Sequence, residues 1–526
     1  MIARRSFLAG AMLAPCLPWQ DLLAAQDERA PTAVPALGPP QPFDFERLRQ
    51  QAQQRASQPY QPPALRPPEL LERIDYDVHE AIHYRPEAAL WAQGDGPWPV
   101  QFFHLARLFR EPVKMHVVRA GMAREIVYSP RLFSYGPNAQ FAAALPDDLG
   151  FAGFRLMDRD PRQQDWLCFL GASYFRSNGE LGQYGLSARG VAIDTGLPDA
   201  EEFPRFTQFW LEAGAEPDSL LIYALLDSPR LSGAYRMTVG RSQAVVMTIE
   251  AALFTRAAIQ RLGIAPLTSM YWFGEADNHL QVWDWRPEVH DSDGLALWTG
   301  NGERIWRPLV DPPSLQTQTF ADRDPKGFGL CQRDRSFDHY QDPQIAYQRR
   351  PSLWVEPLEP WGAGAVQLVE IPTRSEFLDN IVAYWVPQEP VAAGAALHFQ
   401  YRLHWVADEP YLPALGRVVA VRLGWEDPLE ARPNAPRQGA LVVDFGGGPL
   451  ESLSQDAAVR LMASIKPGRL LGSRVVSVTE TRQWRAMCYL ELAGPEPGEL
   501  QVRLQLGDHP LTETCVYPCW LPAAPA

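Results

Sequence analysis

The sequence predicts an all-β protein with a large N-terminal β-sandwich and a C-terminal immunoglobulin-like β-sandwich. The 526 residues include 50 Pro, 38 Gly and 17 Trp, a mixture typical of many strands joined by tight turns. From about Ile74 onward, apolar and polar residues alternate, and turn residues recur at the short spacing of a sandwich. The C-terminal part holds six or seven strand-like segments in about 125 residues, the size of an immunoglobulin-like domain.

Residues 1–25 have the features of an export signal. Arg4 and Arg5 precede an apolar run over residues 8–17, and Ala24 and Ala25 follow at a suitable cleavage point. Twin arginines followed by Phe-Leu resemble a Tat signal, and an ordinary Sec signal is the alternative. The rest of the sequence has no apolar run of about 18 residues, the length that a membrane-spanning helix needs.

The N-terminal sandwich is expected over residues 40–386. It should begin with a helix over residues 43–56, because Phe45, Leu48 and Ala52 fall on one face. A proline-rich connector follows over residues 59–68, and residues 203–211 fit either a short helix or a buried apolar run. The clearest strand-like segments are residues 114–118, 124–128, 153–156, 166–169, 190–193 and 219–225.

The composition changes after Trp385. Residues 387–396 are rich in Pro, Ala and Gly and are interpreted as a linker, so the C-terminal domain is expected over residues 397–522. Its strand-like segments are residues 397–403, 417–423, 440–444, 474–478, 485–490 and 500–506.

The charge balance narrows the classes of partner. The chain carries 48 basic and 62 acidic residues, a net charge of −14. This excess argues against nucleic acid or an anionic membrane surface, and it leaves neutral polymers open. The abundant Trp residues fit a sandwich core, or aromatic faces on which sugar rings stack.

The cysteines do not predict a disulfide framework. Six are present, and Cys16 leaves with the signal, so an odd number remains. Cys515 and Cys519 are close enough in sequence to close a small loop, and a structural metal at this pair would require two further ligands.

Residues 79–83 match the H-E-x-x-H pattern of zinc proteases, which requires a helix so that both imidazoles share one face. Apolar residues alternate through residues 74–84, and this period predicts a strand instead. We therefore expect no zinc site at His79 and His83, and no metal elsewhere.

Two polar patches carry a candidate active site, over residues 286–293 and 370–385. The first has no hydrophobic period that would place it in a core. Carboxylates this dense, mixed with His and Arg, suit acid/base work on a hydroxylated substrate such as a sugar. The candidate residues are Arg286, Glu288, His290, Asp291, Asp293, Glu376 and Asp379.

Signatures of other enzyme classes are missing from the sequence. It contains no G-x-S-x-G elbow, no P-loop and no G-x-G-x-x-G after a strand. No nucleotide or other cofactor is expected.

These patches and several further motifs resemble the periplasmic osmoregulated glucan biosynthesis family, whose members are called OpgG and OpgD. The likeness covers nearly the whole mature chain and is highly specific, and the Tat-like signal favours the OpgD branch. The motifs are residues 171–176 (GASYFR), 184–190, 286–294 (RPEVHDSDG), 300–303, 306–309, 327–330, 332–334, 337–342, 349–357 and 379–385 (DNIVAYW).

The resemblance implies an N-terminal sandwich of the galactose-mutarotase type and action on β-1,2-linked glucan in the periplasm. OpgD-like members resemble anomer-inverting endo-β-1,2-glucanases. By motif position, Asp379 would be the general acid, and Asp291 would lie on the base side and reach the attacking water through a chain of waters. Tyr347 and Glu376 match positions expected to line the site.

The general acid of such an enzyme needs a raised pKa, and we expect Glu376 or the apolar residues 381–383 to raise that of Asp379. Arg286 is expected to orient carboxylates or hydroxyls. Substrate binding is assigned to Tyr347, Glu376, Arg286, Glu288, His290 and Asp293.

The expected partner is β-1,2-glucan, with the membrane glucan synthase and a second copy of the chain as candidate protein partners. A non-catalytic glucan-binding factor in backbone synthesis and a β-1,2-glucan transglycosylase are the alternative functions. The segment 424–437 is short and rich in proline compared with the loop expected there in the family. Because a loop from this region could cover the glucan cleft, the difference affects the expected balance between hydrolysis and transfer.

Overall fold

The computed structural model describes residues 34–63, 68–138, 145–159, 164–276, 284–424 and 437–521. The described chain consists mainly of β-strands in several sheets, which confirms the all-β prediction. The signal predicted over residues 1–25 and most of the 424–437 segment lie outside the described residues. Among the described helices, none is long and apolar enough to cross a membrane.

The largest sheet has 16 strands and includes both early and late parts of the chain. Its neighbouring strands are antiparallel at all but two of the described junctions, where Lys114–Arg119 lies beside Arg205–Ala213 and Arg304–Pro308 lies beside Thr514–Cys519. In spatial order the strands are Gln41–Pro42, Met122–Glu125, Lys114–Arg119, Arg205–Ala213, Ser219–Asp227, Leu231–Arg241, Val245–Thr255, Ala396–Val406, Ser352–Pro357, Gly327–Cys331, Gly294–Trp298, Arg304–Pro308, Thr514–Cys519, Gly498–Leu506 and Val459–Lys466, with His509–Pro510 beside Gly498–Leu506.

A second sheet of ten strands packs on the N-terminal part of the first. One hydrophobic core joins residues of both sheets, among them Phe154, Ile249 and Trp385, so the pair forms the predicted N-terminal sandwich. The strands are Gln316–Arg323, Ala363–Glu370, Ile381–Pro387, Leu262–Ser269, Ser187–Arg189, Tyr174–Ser177, Asp165–Leu170, Phe151–Met157 and Val100–His104, with Val191–Ile193 beside Leu262–Ser269.

Four strands form a C-terminal sheet. A second hydrophobic core packs this sheet against strands of the large one, with Leu441, Cys488 and Leu504 fully buried. This arrangement matches the predicted C-terminal sandwich. The four strands are, in spatial order, Arg417–Gly424, Arg437–Gly446, Gln483–Leu492 and Arg469–Val478.

The remaining elements are short. Two small ribbons pair Tyr271–Phe273 with Val289–His290, and His83–Tyr84 with Phe133–Ser134. The described α-helices are Phe45–Ala56, Pro68–Glu72, Tyr76–Glu80 and Phe337–Tyr340. The described 3-10 turns are Pro86–Ala88, Pro130–Leu132, Gly136–Asn138, Tyr347–Arg349 and Gly448–Ser452.

Strand Ala396–Val406 belongs to the N-terminal sandwich, although the sequence placed it in the C-terminal domain. It pairs with Val245–Thr255 and with Ser352–Pro357, and its inward residues join the N-terminal core. The Ala- and Gly-rich residues before it form a turn of that sandwich, where Val391 bridges Ile259. We therefore propose that the domain boundary lies between residues 406 and 417.

The strand predicted across residues 74–84 is wrong in its first half. Tyr76–Glu80 is a short helix, and only His83–Tyr84 is a strand. The Asp75 carboxylate caps this helix by accepting from the N–H of Val78 at 3.0 Å, a stabilisation that apolar spacing alone does not reveal. His79 Nε2 lies 3.2 Å from the backbone oxygen of His104, so the backbone of a neighbouring strand engages that ring.

Other local predictions are decided by packing. The first helix is confirmed as Phe45–Ala56, with Leu48 and Ala52 buried. The ambiguous residues 203–211 fall mostly in strand Arg205–Ala213. The five described cysteines are all free and buried, so Cys515 and Cys519 do not close the small loop considered above.

Candidate active site

The two aspartates predicted as catalytic, Asp291 and Asp379, are anchored to one short backbone segment. The N–H of Asp291 donates to the carbonyl of Met270 at 2.8 Å. The side chain of Asn380, next to Asp379, accepts from the N–H of Tyr271 and donates to its carbonyl, each at 2.9 Å. Residues 270–271 therefore set the spacing of the two carboxyl groups.

Asp291 and Asp379 are both buried, with exposed fractions of 0% and 4%. They are close enough for the charge of Asp291 to raise the pKa of Asp379. In each, the oxygen Oδ2 is buried and has no hydrogen-bond partner among the described residues. Such atoms are rare in folded proteins because leaving them unpaired costs free energy, so these two oxygens are candidates for contact with a substrate or an attacking water.

Burial raises the pKa of Asp379 to about 7 from its ordinary value of 3.8, and the negative charge of Asp291 adds to the rise. The positive charges of Arg176, Arg350 and Arg189 act in the opposite direction. Near neutral pH, Asp379 therefore retains its proton in a large fraction of molecules, as a general acid requires.

The raised pKa of Asp379 has a partly different cause from the expected one, which was the charge of Glu376 or the apolar residues 381–383. The neighbouring charge that raises the pKa of Asp379 is that of Asp291, not that of Glu376. The carboxylate of Glu376 is held in an ion pair with Arg286. The expected contribution of an apolar environment agrees with burial as the first cause.

Asp291 lies among positive charges. Its Oδ1 is in direct contact with Nη1 of Arg350. Burial raises the pKa of Asp291 above its ordinary value, and the charges of Arg350, His290 and Arg176 limit that rise. The direct ion pair favours the ionised form of Asp291, whereas Asp379 has no ion pair among the described residues. The two carboxyl groups are therefore suited to opposite protonation states.

Arg286, Glu376 and Tyr347 form a second group. The two terminal nitrogens of Arg286 contact the two carboxylate oxygens of Glu376 at 2.8 and 3.1 Å, a bidentate geometry. The Tyr347 hydroxyl donates to Glu376 Oε2. The Arg350 guanidinium lies 4.6 Å from the centre of the Tyr347 ring, so this group adjoins the ion pair at Asp291.

Two exposed aromatic side chains flank the Arg286–Glu376 pair. Trp285, which precedes Arg286, is 69% exposed, and Phe377, which follows Glu376, is 55% exposed. Large exposed rings beside polar groups are suited to stacking on the apolar face of a sugar.

Glu288, His290 and Asp293 form a third group. His290 Nε2 lies 3.0 Å from Glu288 Oε2, and its Nδ1 lies 3.4 Å from Asp293 Oδ1. Burial disfavours the charged ring, but the hydrogen bond that the ring donates to Glu288 and the charge of Asp293 outweigh burial and raise the pKa of His290 to about 9. His290 is thus a buried cation beside Asp291, and its charge acts to lower the pKa of that carboxyl group.

The segment 286–293 is buried, contrary to the expectation that it lies outside a core. Arg286, Glu288, His290 and Asp291 are each 9% exposed or less. Polar residues are tolerated inside because they pair with partners distant in sequence or with each other. A pattern of apolar residues in the sequence cannot predict a buried cluster of paired polar side chains such as this one.

The sequence-based reasoning missed three residues of the site: Arg350, Arg176 and Asn380. Arg176 lies in strand Tyr174–Ser177, and Arg350 lies two residues before strand Ser352–Pro357. Folding brings both toward the aspartates. Each lies within a motif that carries the family resemblance, and this was the available signal. Their roles depend on contacts that span more than 50 residues.

Among the described residues, one set of three side chains gathers closely enough to surround a metal ion: Glu288, Asp334 and His339. His339 already pairs with Asp334, and Glu288 with His290. Each of the three therefore already has a partner of opposite or complementary character, so the set does not require an ion.

Comparison with known proteins finds matches over almost the whole chain. Residues 43–519 match the family described as "Periplasmic glucan biosynthesis protein, MdoG". Glucans biosynthesis protein D 2 of Ralstonia nicotianae is 48% identical over 531 residues, which cover 98% of this chain and 97% of the relative. Glucans biosynthesis protein D of Xanthomonas axonopodis pv. citri is 45% identical over 537 residues, 99% of each chain. The protein of the same name from Stenotrophomonas maltophilia is 45% identical over 534 residues, 99% of this chain and 98% of the relative.

Proposed function

Because this chain belongs to the MdoG family of periplasmic glucan biosynthesis proteins, we propose that it cleaves the β-1,2-linked backbone of periplasmic glucan as an anomer-inverting endo-hydrolase. The observation that carries this proposal is the pair Asp379 and Asp291, two neighbouring buried carboxyl groups in unlike electrostatic surroundings. Inverting glycosidases use one protonated and one ionised carboxyl group. The β-1,2 linkage itself follows from the family resemblance.

In the proposed reaction, Asp379 donates its proton to the glycosidic oxygen as the bond from that oxygen to the anomeric carbon breaks. A water attacks the opposite face of the same carbon and passes a proton to Asp291, directly or through further waters. The anomeric configuration is inverted. Asp379 is left ionised and Asp291 protonated, and exchange with solvent restores the starting state.

Positive charge around Asp291 supports its role as the base. Arg350 contacts the carboxylate directly, and His290 lies beside it in the chain as a buried cation. Both favour the ionised form that accepts a proton. Arg286, Glu376 and Tyr347 offer a rigid polar surface beside the aspartates, which we assign to sugar hydroxyls.

The family description refers to periplasmic proteins, and a twin-arginine signal within residues 1–25 is the proposed route of export. The net charge of −14 suits a neutral polysaccharide substrate. The membrane glucan synthase is the proposed protein partner, since it supplies the glucan backbone.

The decisive experiment compares the mature protein with Asp379→Asn on linear β-1,2-glucan, following chain length and product anomer by NMR. We expect the parent to release shorter chains first as the α-anomer, because inversion of a β-linkage yields α. Loss of the general acid should lower kcat by about 10²–10⁴-fold. Asp508→Asn, at a fully exposed side chain, is the matched control for the loss of one charge.

Three other outcomes are informative. Cleavage that persists in Asp379→Asn contradicts the assignment of the acid. A parent that binds glucan without shortening it is a non-catalytic binding factor, and a parent that forms longer as well as shorter chains is a transglycosylase.

A further inference from the structure

A cavity of about 300 Å³ lies at the seam between the two sandwiches. One wall comes from strands of the large sheet, Gly294–Trp298, Arg304–Pro308, Thr514–Cys519 and Gly498–Leu506, and the other from Gln316–Arg323 and Ala363–Glu370 of the ten-stranded sheet. Within the first of these walls, the two sandwiches meet where Ile305 and Thr514 pair in parallel register. Its lining includes none of the candidate active-site residues.

The described lining mixes polar and apolar residues and contains no basic side chain. Its carboxylates are Glu303, Asp322 and Glu499, and its side-chain amides are Asn301 and Gln501. Such a lining disfavours an anionic ligand and offers acceptors and donors to a hydroxyl-rich one. The volume falls at the lower end of the range of small-molecule sites, about 300–1,000 Å³.

Neutral donors hold the carboxylates in place. The Thr514 hydroxyl donates to Glu303 at 3.0 Å, and the Gln501 amide donates to Glu499 at 3.1 Å. The N–H of Gly300 donates to Asp322 at 3.0 Å. Because these donors carry no charge, the carboxylates keep acceptor capacity for the hydroxyl groups of a ligand.

The lining is less suited to a metal ion. Within the described chain, the three carboxylates do not converge as a ligand set, and the one close set of three ligands lies elsewhere, at Glu288, Asp334 and His339. Aromatic surface from Trp298 and Phe320 also lines the cavity. The Arg304 guanidinium lies over the Trp298 ring at 3.8 Å, so Phe320 is the ring assigned to the apolar face of a sugar.

The cavity is connected to the candidate active site by a single strand. Trp298 ends strand Gly294–Trp298, which begins three residues after Asp291. Seven extended residues at about 3.3 Å each span at most about 23 Å, a distance that an oligosaccharide can bridge.

We infer that this cavity is a second binding site for the neutral glucan chain, separate from the site of cleavage. The inference rests on the proposed glucan substrate. A long chain held at the cavity is presented to the aspartates at a high effective concentration, whereas a short oligosaccharide gains nothing from the second contact.

The test measures binding in the Asp379→Asn background, so that the ligand is not consumed. Gln501→Trp and Thr319→Trp fill the cavity from opposite walls, and Gln505→Trp, on the same strand as Gln501 but outside the cavity, is the matched control. Calorimetry with long linear β-1,2-glucan and with a β-1,2-linked trisaccharide gives Kd for each variant. Thermal melting checks that each variant is folded.

We expect both filling variants to weaken the binding of long glucan by about tenfold and to leave trisaccharide binding unchanged, with Gln505→Trp unaffected. Equal affinity of the filled and unfilled proteins for long glucan overturns the inference. If the protein cleaves glucan and the filling variants change nothing, only the second site is wrong. If no glucan binds or is cleaved, the proposed function fails and the second site fails with it.

Discussion

At the scale of single residues, one contact separates the two aspartates. Arg350 pairs directly with Asp291, whereas its charge reaches Asp379 without a hydrogen bond. Burial acts on both carboxyl groups, so the asymmetry comes from the placement of this arginine. A proton shared by the pair is therefore expected to reside mainly on Asp379.

The raised pKa of Asp379 predicts a pH-dependent cost in stability. Its pKa is about 7 in the folded protein against an ordinary value of 3.8, so the folded state binds the proton more tightly than the unfolded state. The stability contributed by the protonated form is complete below about pH 3.8 and is lost as the pH rises through about 7. Asn cannot ionise, so the free energy of unfolding of Asp379→Asn should rise relative to the parent across that window and stay level above it.

Urea unfolding at a series of pH values checks this expectation, with Asp508→Asn as the control. Parallel stability curves for the parent and Asp379→Asn across the window would show that the carboxyl group is not perturbed by burial.

Arg350 should control the pH dependence of cleavage. Its charge acts to lower the pKa of both Asp291 and Asp379, so Arg350→Ala should move both limbs of the pH–rate profile to higher pH. Arg350→Lys keeps the positive charge, so the limbs should return towards their original pH values. The rate should recover less, because the planar contact of the guanidinium with Asp291 is lost. A purely structural role for Arg350 predicts a lower rate with limbs in their original places.

At the scale of elements, the site depends on hydrogen bonds between the start of strand Ile381–Pro387 and the start of strand Tyr271–Phe273. Asn380 lies just before strand Ile381–Pro387, and its side chain bonds the backbone of Tyr271 and the carbonyl of Ile371. The same residue thus fixes the segment that carries Asp379 to the ribbon that carries Asp291.

Asn380→Ala should lower the free energy of unfolding by roughly 3 kcal/mol, because it leaves buried backbone groups without partners. It should also lower kcat, since the aspartates lose their common anchor. Denaturant unfolding and glucan cleavage measure the two effects, and Gln54→Ala, which removes an exposed side-chain amide on helix Phe45–Ala56, is the control. An unchanged unfolding free energy would show that the clamp does not hold the elements together.

At the scale of the whole molecule, a buried ion cluster joins the two sandwiches. Arg333, beyond the end of strand Gly327–Cys331, donates to Glu513 at 2.6 Å and also contacts Glu409. Its guanidinium lies 3.6 Å from the centre of the Trp306 ring. All three charged side chains are almost fully buried.

Arg333→Ala should destabilise the protein by roughly 3–5 kcal/mol, because it removes the arginine that pairs most closely with two buried carboxylates. Arg460→Ala, at an exposed arginine 3.9 Å from Asp508, should change stability by less than about 1 kcal/mol. Thermal unfolding compares the two. Similar melting temperatures for both variants would contradict a joining role for the cluster.

The class of the fold and most of its strands were predictable from the amino-acid pattern, because alternation and turn residues are local properties that survive packing. Segments such as residues 219–225 and 485–490 lie in the strands expected of them. Sequence patterns predicted the wrong structure at Tyr76–Glu80, where a side-chain cap stabilises a helix. They also placed Ala396–Val406 in the wrong domain, because its pairing with a distant strand puts it in the N-terminal sandwich. Tertiary contacts also divided the Trp residues, burying Trp385 and Trp405 fully and leaving Trp285 exposed.

The sequence also determined which carboxylates to consider, since the motifs around Asp291 and Asp379 are dense and specific. Folding was needed to establish that these two are neighbours, that one is paired with Arg350, and that burial raises the pKa of the other. The physical reason is that electrostatic energies depend on distance and exposure in space. Residues 59 positions apart in the chain, such as Asp291 and Arg350, acquire their chemistry only when folding brings them together.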